Sequence, residues 1–442
     1  MRNFLKNILQ SWLKIIARQI VKKYKPRVIA VTGSFGKTTT KEAIYEALKP
    51  SLLSLRKNYA SLNSELGVPL TIVGGKDPKG SVLRWLSVLV SGVKQIILAN
   101  KFYPRNLVLE MGADKPGDID YLLSIAKPQV AVLTGIGHTH LEYFESVDKV
   151  AEEKIKLIKA LPHDGVAVFN NDNPLIREFI SQPEVNYLTY GLQEDSHVKA
   201  SQIREELNDL AEESATATSS DHVGGVGFKV SFQDKSYQSY LHNVVGFTHI
   251  NSSLAAIAVA IGLGLDLEKS VEGLKQYQGS PGRMRLIPGV KRTFIIDDSY
   301  NSSPEAAIAA LEILASIEIR GLRWAVLGDM LELGAQTEDL HAQVGQRVAE
   351  LNIDYLITTG DPAHFIGHGA KVAGMPEDRI FEFQDKEEAG RFLQSKIKTG
   401  DLILIKGSRG IHQETNGTRM EKIVKEVMAQ PQKADELLYF TR

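Results

Sequence analysis

Short apolar runs alternate with longer amphipathic segments along most of this 442-residue chain. Runs of four or five largely β-branched residues predict buried strands, whereas apolar side chains at helical spacing predict helices between them. The predicted strands lie at residues 28–31, 107–111, 130–134, within 165–174, and at 324–327, 355–359 and 402–405. The predicted helices lie at 39–48, 82–98, about 146–160 and 247–263. This alternation predicts an α/β fold with mostly parallel sheets and ligands at the carboxyl ends of the strands.

Two interruptions of the pattern suggest how the chain is divided. Residues 193–227 turn polar and predict an exposed loop or hairpin insertion, and residues 278–289 carry the Pro and Gly punctuation of a domain linker. The length is too great for one ordinary core. We therefore expect an N-terminal helix at 1–24, a first α/β domain at 25–283 and a second, doubly wound domain at 284–442.

The first predicted helix is basic and amphipathic. Phe4, Ile8, Trp12, Ile16 and Ile20 recur every four residues, and no Asp or Glu precedes Glu42. The segment is too charged to span a bilayer or to act as a cleaved signal. It either docks its apolar stripe on the next domain or lies on an anionic membrane surface. We expect a cytoplasmic protein, with this helix as a candidate peripheral contact at the inner face of the membrane.

The segment VIAVTGSFGKTTTK, residues 28–41, predicts a strand, a tight glycine turn and a helix. Such a turn presents backbone N–H groups and the positive end of a helix to a polyphosphate. Lys37 is expected to reach the terminal phosphates and the Thr38 hydroxyl to ligate Mg²⁺. The alternative is a structural turn that only needs glycine at positive φ. The predicted nucleotide-binding residues here are Gly33, Ser34, Phe35, Gly36, Lys37, Thr38 and Thr39.

Three further residues follow predicted strands and carry suitable chemistry. Glu110, at the end of a strand, is placed to hold Mg²⁺ or to cap the next helix, and His140 is a second candidate metal ligand. Lys154 lies on the helix after the His140 loop. Its amine could contact phosphate, could add CO₂ to become a carbamate ligand for a hard cation, or could be a solvated lysine.

Composition narrows the function classes. The formal net charge is −1, which does not indicate a nucleic-acid partner, and the absence of cysteine excludes disulfides and thiolate catalysis. A phosphate loop alone is compatible with an ATP-dependent ligase or with a switch or motor NTPase that couples hydrolysis to a partner.

A set of motifs in order resembles the Mur ligase family. The set comprises TGSFGKTTTKEAI, LEMGADKPGDI, GIGHTHLEYF with EEK downstream, GRM, IIDDSYNSSPEA, VLGDMLELG, EDLH and KGSRG. The nearest branch adds D-alanyl-D-alanine to UDP-MurNAc-tripeptide. The resemblance implies a central ATP-binding domain and a C-terminal Rossmann-like domain. It also implies an ADP-forming peptide ligase of peptidoglycan synthesis that works through an acyl phosphate. With this resemblance we expect small-molecule and peptide substrates and a monomer.

The resemblance also assigns roles to individual residues. It implies two Mg²⁺ sites, one held by Thr38 and Glu110 and one by His140 and carbamylated Lys154. It places Arg283, Asp298 and Asn251 at ATP, and makes Lys37, Lys154, His140 and Arg283 catalytic. Tyr300, Asn301, Asp329 and Glu332 resemble a substrate-binding surface of the C-terminal domain that closes over the site.

The chain also departs from the family pattern. Only a basic helix precedes the phosphate loop, where the family usually has a UDP-binding domain, and HQETNGT stands between KGSRGI and RMEKIV. A Mur-type ligase with a different acceptor or amine therefore remains an alternative beside the switch or motor NTPase.

Overall fold

The computed structural model describes residues 2–59, 62–78, 81–137, 141–180, 184–208, 223–408 and 419–438. The chain divides into two compact units. The first comprises residues 1–202, 228–239 and 248–277, and the second comprises 203–227, 240–247 and 278–442. The last division, between Tyr277 and Gln278, falls at the start of the segment rich in Pro and Gly.

The elements before residue 278 begin with a long helix and then alternate strands with helices. The helices are α1 (Arg2–Tyr24), α2 (Lys37–Leu48), α3 (Gly67–Val73), α4 (Val82–Ile97), α5 (Asp118–Leu123), α6 (Leu141–Phe144), α7 (Val147–Lys159), α8 (Pro174–Phe179), α9 (Phe247–Gly262) and α10 (Leu267–Leu274). The strands are β1 (Arg27–Thr32), β2 (Leu55–Lys57), β3 (Asn106–Glu110), β4 (Val130–Leu133), β5 (Val166–Asn170), β6 (Asn186–Gly191), β7 (Val198–Leu207), β8 (Gly224–Phe232) and β9 (Lys235–His242).

These strands form one sheet in the order β2-β3-β1-β4-β5-β6-β7-β8-β9. The pairs from β2 to β7 are parallel. In this register Val31 lies opposite Glu110 and Thr32 lies opposite Leu133. The turn after β1 therefore leaves the sheet beside the carboxyl ends of β3 and β4, because parallel strands end at the same edge.

The helix α1 packs against the first unit. Leu13, Ile16, Ala17 and Ile20 are buried in the same core cluster as Val28 of β1. The docking alternative predicted for this helix is therefore realised by part of its apolar stripe. Among the described residues, no helix is long and apolar enough to cross a bilayer.

The elements from residue 278 onward build a second α/β sheet. Its strands are β10 (Arg285–Gly289), β11 (Thr293–Asp298), β12 (Arg323–Gly328), β13 (Tyr355–Thr359), β14 (Ile380–Phe383) and β15 (Leu402–Lys406). Its helices are α11 (Pro304–Ser316), α12 (Thr337–Glu350), α13 (His364–Val372), α14 (Lys386–Lys396), α15 (Glu421–Val427) and α16 (Ala434–Leu437). The order is β10-β11-β15-β12-β13-β14, parallel except for β10 against β11.

The predicted α/β class with mostly parallel sheets is confirmed, and one local prediction is corrected. The segment predicted as a linker contains β10, whose Pro288 is tolerated because the strand lies at the sheet edge. The helix at 82–98, predicted to be buried or partly exposed, is present and partly exposed. In α4 only Gly92 is fully buried, and one apolar face is open to solvent. The polar insertion contributes β7 and β8, while residues 209–222 lie outside the described residues.

Candidate active site

The turn between β1 and α2 has the shape of a phosphate cradle. Gly33 has φ 153° and Gly36 has φ 76°, a backbone region that side chains rarely adopt. A Cβ on Gly33 would overlap the Thr134 hydroxyl, which donates to the carbonyls of Thr32 and Phe35. Glycine at position 33 is therefore required by both conformation and space. The first turn of α2 then points its N–H groups into the cradle.

The other cradle residues hold the turn against the loop after β4. Ser34 N donates to the Gly135 carbonyl at 2.7 Å, and Ser34 Oγ contacts the backbone of Gly137. Thr39 Oγ1 donates to the Gly36 carbonyl at 2.9 Å. Phe35 is half exposed. Lys37 Nζ donates to the carbonyls of Gly33 at 2.6 Å and Ser34 at 3.2 Å, so the cation already lies over the turn.

Glu110 lies beside the Thr38 hydroxyl and fits a magnesium site. Thr38 Oγ1 donates to Glu110 Oε1 at 3.1 Å, and the carboxylate is 1% exposed. Its other oxygen, Oε2, accepts no hydrogen bond from the described residues and lies 3.6 Å from Lys41 Nζ. A hydroxyl and a buried carboxylate with an open oxygen are a donor set that suits a hard cation. Among the described residues, no three His, Asp or Glu side chains gather into a further metal cluster.

Lys154 is buried on α7, with 1% of its surface exposed. Burial, followed by repulsion from Lys37, lowers the pKa of Lys154 to about 7. A large fraction of the amine is therefore neutral at neutral pH, which is the form that can add CO₂. The helix position is set by the Ser146 N-cap, whose hydroxyl accepts from Lys149 N at 3.3 Å. The solvated-lysine alternative is excluded by this burial.

Two predicted site residues of the first unit remain, His140 and Asn251. His140 lies outside the described residues. Asn251 is half-buried on α9, and within the described part of the chain no donor reaches its Oδ1. The neighbouring His249 is fully buried, and its Nδ1 pairs with the Tyr277 hydroxyl at 2.7 Å.

In the second unit, four predicted residues come together. Lys406 Nζ donates to Asp298 Oδ2 at 2.6 Å and to the Asn301 carbonyl at 2.9 Å. The Arg283 guanidinium lies over the Tyr300 ring, 4.1 Å from its centroid. The register explains the pairing, because Asp298 and Lys406 are opposite each other at the ends of β11 and β15.

The loop after β12 places Asp329 and Glu332 differently. Asp329 is buried and accepts from Ala363 N at 2.9 Å, and burial raises the pKa of its carboxyl. Glu332 is exposed, with φ 65°. His341 of α12 orders the same loop, since its Nε2 accepts from Met330 N at 3.0 Å.

Several site residues were not assigned from the sequence. Asn58 Oδ1 accepts from Glu110 N at 2.6 Å, and Asn63 Nδ2 donates to Glu110 Oε1 at 2.8 Å. Together with Lys41 and Lys406 they surround predicted carboxylates. The asparagines stand in the stretch NYASLNSELGVP, whose Asn content was the available signal. That these asparagines contact Glu110 depends on the strand register, which the sequence does not show.

Two family models match the chain. The Mur ligase middle domain matches residues 92–260, and the Mur ligase glutamate ligase domain matches residues 282–409. The chain belongs to the Mur ligase family. Most of the Mur ligase motifs noted in the sequence fall within these two matched ranges, and the phosphate-loop motif precedes them.

Relatives over nearly the full length point to one branch of the Mur ligases. The chain is 29% identical to the UDP-N-acetylmuramoyl-tripeptide–D-alanyl-D-alanine ligase of Bacillus subtilis, covering 95% of this chain and 79% of that protein. It is 28% identical to the ligase of the same name from Escherichia coli, covering 90% and 78%. The structure of MurF ligase from Thermotoga maritima in complex with ADP has a TM-score of 0.73 and 26% identity, covering 97% of this chain and 84% of that chain.

Proposed function

We propose that this Mur ligase is the ADP-forming enzyme that joins D-alanyl-D-alanine to UDP-MurNAc-tripeptide. The observation that carries the proposal is the 29% identity to the Bacillus subtilis ligase over 95% of the chain, which spans both units. The cradle, the Thr38–Glu110 pair and buried Lys154 supply chemistry that such an enzyme needs. We assign residues 25–283 to the central ATP-binding domain and 284–442 to the C-terminal Rossmann-like domain, preceded by the helix at 1–24.

In this proposal the chain's residues handle developing negative charge. The carboxylate of the tripeptide takes the terminal phosphoryl group of ATP, and the amine of D-alanyl-D-alanine then displaces phosphate to form the amide. The cradle N–H groups and Lys37 hold the phosphates, and Arg283 stabilises the same charge. Asp298 and Asn251 bind the nucleotide. The substrates are bound by four residues of the second unit: Tyr300, Asn301, Asp329 and Glu332.

The metal assignments follow the donor set of the first unit. Thr38 and Glu110 would hold one Mg²⁺, and His140 with a Lys154 carbamate would hold the second. When bound, Mg²⁺ would offset phosphate charge and polarise the transferred phosphoryl group. The neutral Lys154 amine adds to the carbon of CO₂ and releases one proton, which leaves a carboxylate on the side chain. Its burial and lowered pKa support this assignment.

The decisive experiment is a panel of ADP-release assays. We expect ADP release only when UDP-MurNAc-tripeptide and D-alanyl-D-alanine are both present, because each phosphoryl transfer needs an acceptor and each acyl phosphate needs an amine. Mass spectrometry should find the pentapeptide product in equal amount to ADP. ADP release in the absence of both substrates would indicate a switch or motor NTPase. ADP release with another amine or acceptor would change the substrate assignment.

We further propose a cytoplasmic monomer with peripheral membrane contact through residues 1–24. Support comes from the exposed part of α1, where Ile8, Trp12 and Ile15 remain open to solvent. The helix also carries six basic residues and no acidic residue, which favours contact with anionic lipid.

A further inference from the structure

The helices α1 and α4 form one layer on the first unit. A Cβ on Gly92 of α4 would lie 2.5 Å from Ile16 Cγ2 of α1, so the helices touch there. Lys23 Nζ donates to the carbonyls of Ile96 at 2.8 Å and Leu98 at 3.0 Å. It thereby caps the last turn of α4. Side chains from both helices pack on the same core cluster. The faces of α1 and α4 that do not pack on this core therefore lie side by side and point away from it.

The outward face of α4 is apolar. It carries a stripe spaced by three and four residues along the helix, and every member is exposed: Leu83, Leu86, Val90, Val93 and Ile97. Leu83 is 79% exposed and Ile97 73%. A helix on a protein surface normally places polar residues on this side. The outward face of α1 adds Ile8, Trp12 and Ile15. We call these eight side chains the apolar face.

The surroundings of the apolar face are positively charged. Neither residues 1–41 nor residues 78–109 contain an Asp or Glu. Beside Ile15, a groove of about 790 Å³ runs between α1 and the segment from α5 to β4. Among the described residues that line it, four are cations, Arg18, Lys22, Lys25 and Lys127, and the others are uncharged. All four cations are exposed. Such a groove favours anionic groups such as phosphates.

We propose that the apolar face lies in the surface of an anionic bilayer, with lipid phosphates at the groove cations. The inference rests on the peripheral contact proposed for residues 1–24 and extends it to α4 and the groove. Helices that lie in the interface combine an apolar face with flanking Lys and Arg in this way. Pairing with a second copy about a two-fold axis would instead set the same basic surface against itself. Charge complementarity therefore favours the lipid.

The test of the apolar face is vesicle co-sedimentation of the full chain. Vesicles are made of phosphatidylcholine alone or mixed with phosphatidylglycerol. The unmodified chain should bind the anionic vesicles, and added salt should weaken binding because the cations are exposed. The double variant Leu86→Glu/Val93→Glu should lower the partition coefficient about tenfold or more. It replaces two apolar side chains that the bilayer surface would otherwise bury. The control Val372→Glu, at an exposed apolar position of α13, should bind normally.

The groove is tested with Lys22→Gln/Lys127→Gln. Each cation near an anionic surface contributes about a fivefold factor, so the pair should lower binding to anionic vesicles about 25-fold. Lys235→Gln, at an exposed position of β9, is the matched control and should bind normally. Unchanged binding by the groove variant would overturn the phosphate assignment. At matched ionic strength, inorganic phosphate should release no more chain from the vesicles than sodium chloride does; a larger release would show that the groove binds free phosphate.

Two outcomes would overturn the lipid assignment for α4. Normal vesicle binding by Leu86→Glu/Val93→Glu, with loss in Ile8→Glu/Trp12→Glu, would confine the contact to α1. A dimer in sedimentation velocity that the α4 variant dissociates, with no vesicle binding by the unmodified chain, would make the face a protein interface. ADP release with soluble substrates, measured on the same variants, separates these failures from failure of the ligase assignment.

Discussion

Lys37 is predicted to be central to the chemistry and dispensable for folding. Its ammonium bonds to the carbonyls of Gly33 and Ser34, in the turn that the residue itself follows. These bonds are local, and they can be exchanged for phosphate oxygens when a nucleotide arrives. The phosphate-binding role predicted from the sequence remains a prediction that activity must test.

We expect Lys37→Ala to lower the rate of ADP release at least about a hundredfold, the usual loss when a preorganised charge is removed from a transition state. Circular dichroism and the melting temperature should change little, because the hydrogen bonds of Lys37 to Gly33 and Ser34 lie within one turn. Near-normal ligation by the folded variant would remove the cradle from the active site.

Lys154 gives a prediction on pH. Its pKa is about 7 in the folded state, below the ordinary 10.5, so the unfolded chain binds the proton more tightly. Stability contributed at this site therefore rises with pH between about 7 and 10.5. In CO₂-free buffer without Mg²⁺, Lys154→Met should melt at a higher temperature than the unmodified chain below pH 7. This gain should shrink as the pH rises toward 10.5, and a gain independent of pH would contradict the lowered pKa.

The carbamate makes a separate prediction at the same residue. Lys154→Ala should lose most ADP release but still bind ATP, and a small carboxylate in solution should restore part of the rate. Stripping CO₂ should lower the activity of the unmodified chain, and bicarbonate should restore it. The reason is that Lys154 offers an oxygen ligand as a carbamate but not as a free amine. A fully active Lys154→Ala variant would end this assignment.

At the scale of elements, the β1–α2 turn depends on a close approach between two strand ends. Gly33→Ala combines a strained φ with overlap against Thr134, and we expect a loss of about 2–4 kcal/mol in the free energy of unfolding. Gly117→Ala is the control, since its φ is 91° and no atom of the described residues lies within 4 Å of a Cβ there. That variant should lose only about 1–2 kcal/mol. Equal losses in urea denaturation would show that the overlap relaxes.

At the scale of the whole molecule, the two compact units predict separate responses to damage. Leu13 of α1 is fully buried in the core of the first unit. Leu13→Ala should cost about 2–5 kcal/mol there. Hydrogen exchange should then accelerate in β1, β3 and β4, while β11, β12 and β15 keep their protection. Equal acceleration in both units would indicate one cooperative fold.

The sequence by itself determined the alternation of strands and helices, the phosphate turn and the family. These are properties of local pattern: β-branched runs, glycines at fixed spacing and motifs in order. It also predicted Glu110 at a strand end, because a strand and its terminal residue are contiguous. The strand β10 escaped prediction because its Pro and Gly are typical of a linker, and only pairing with β11 made it a strand.

Tertiary structure decided which distant residues meet and which faces stay open. Asn58 and Asn63 reach Glu110 because the register of β2, β3 and β1 brings their loops to one sheet edge. Lys154 was ambiguous as a residue type, and its burial decides its pKa. The apolar residues of α4 read alike in the sequence. Packing covers Trp85, Val88 and Leu89 and leaves the opposite stripe exposed, a distinction that depends on where α1 and the core lie.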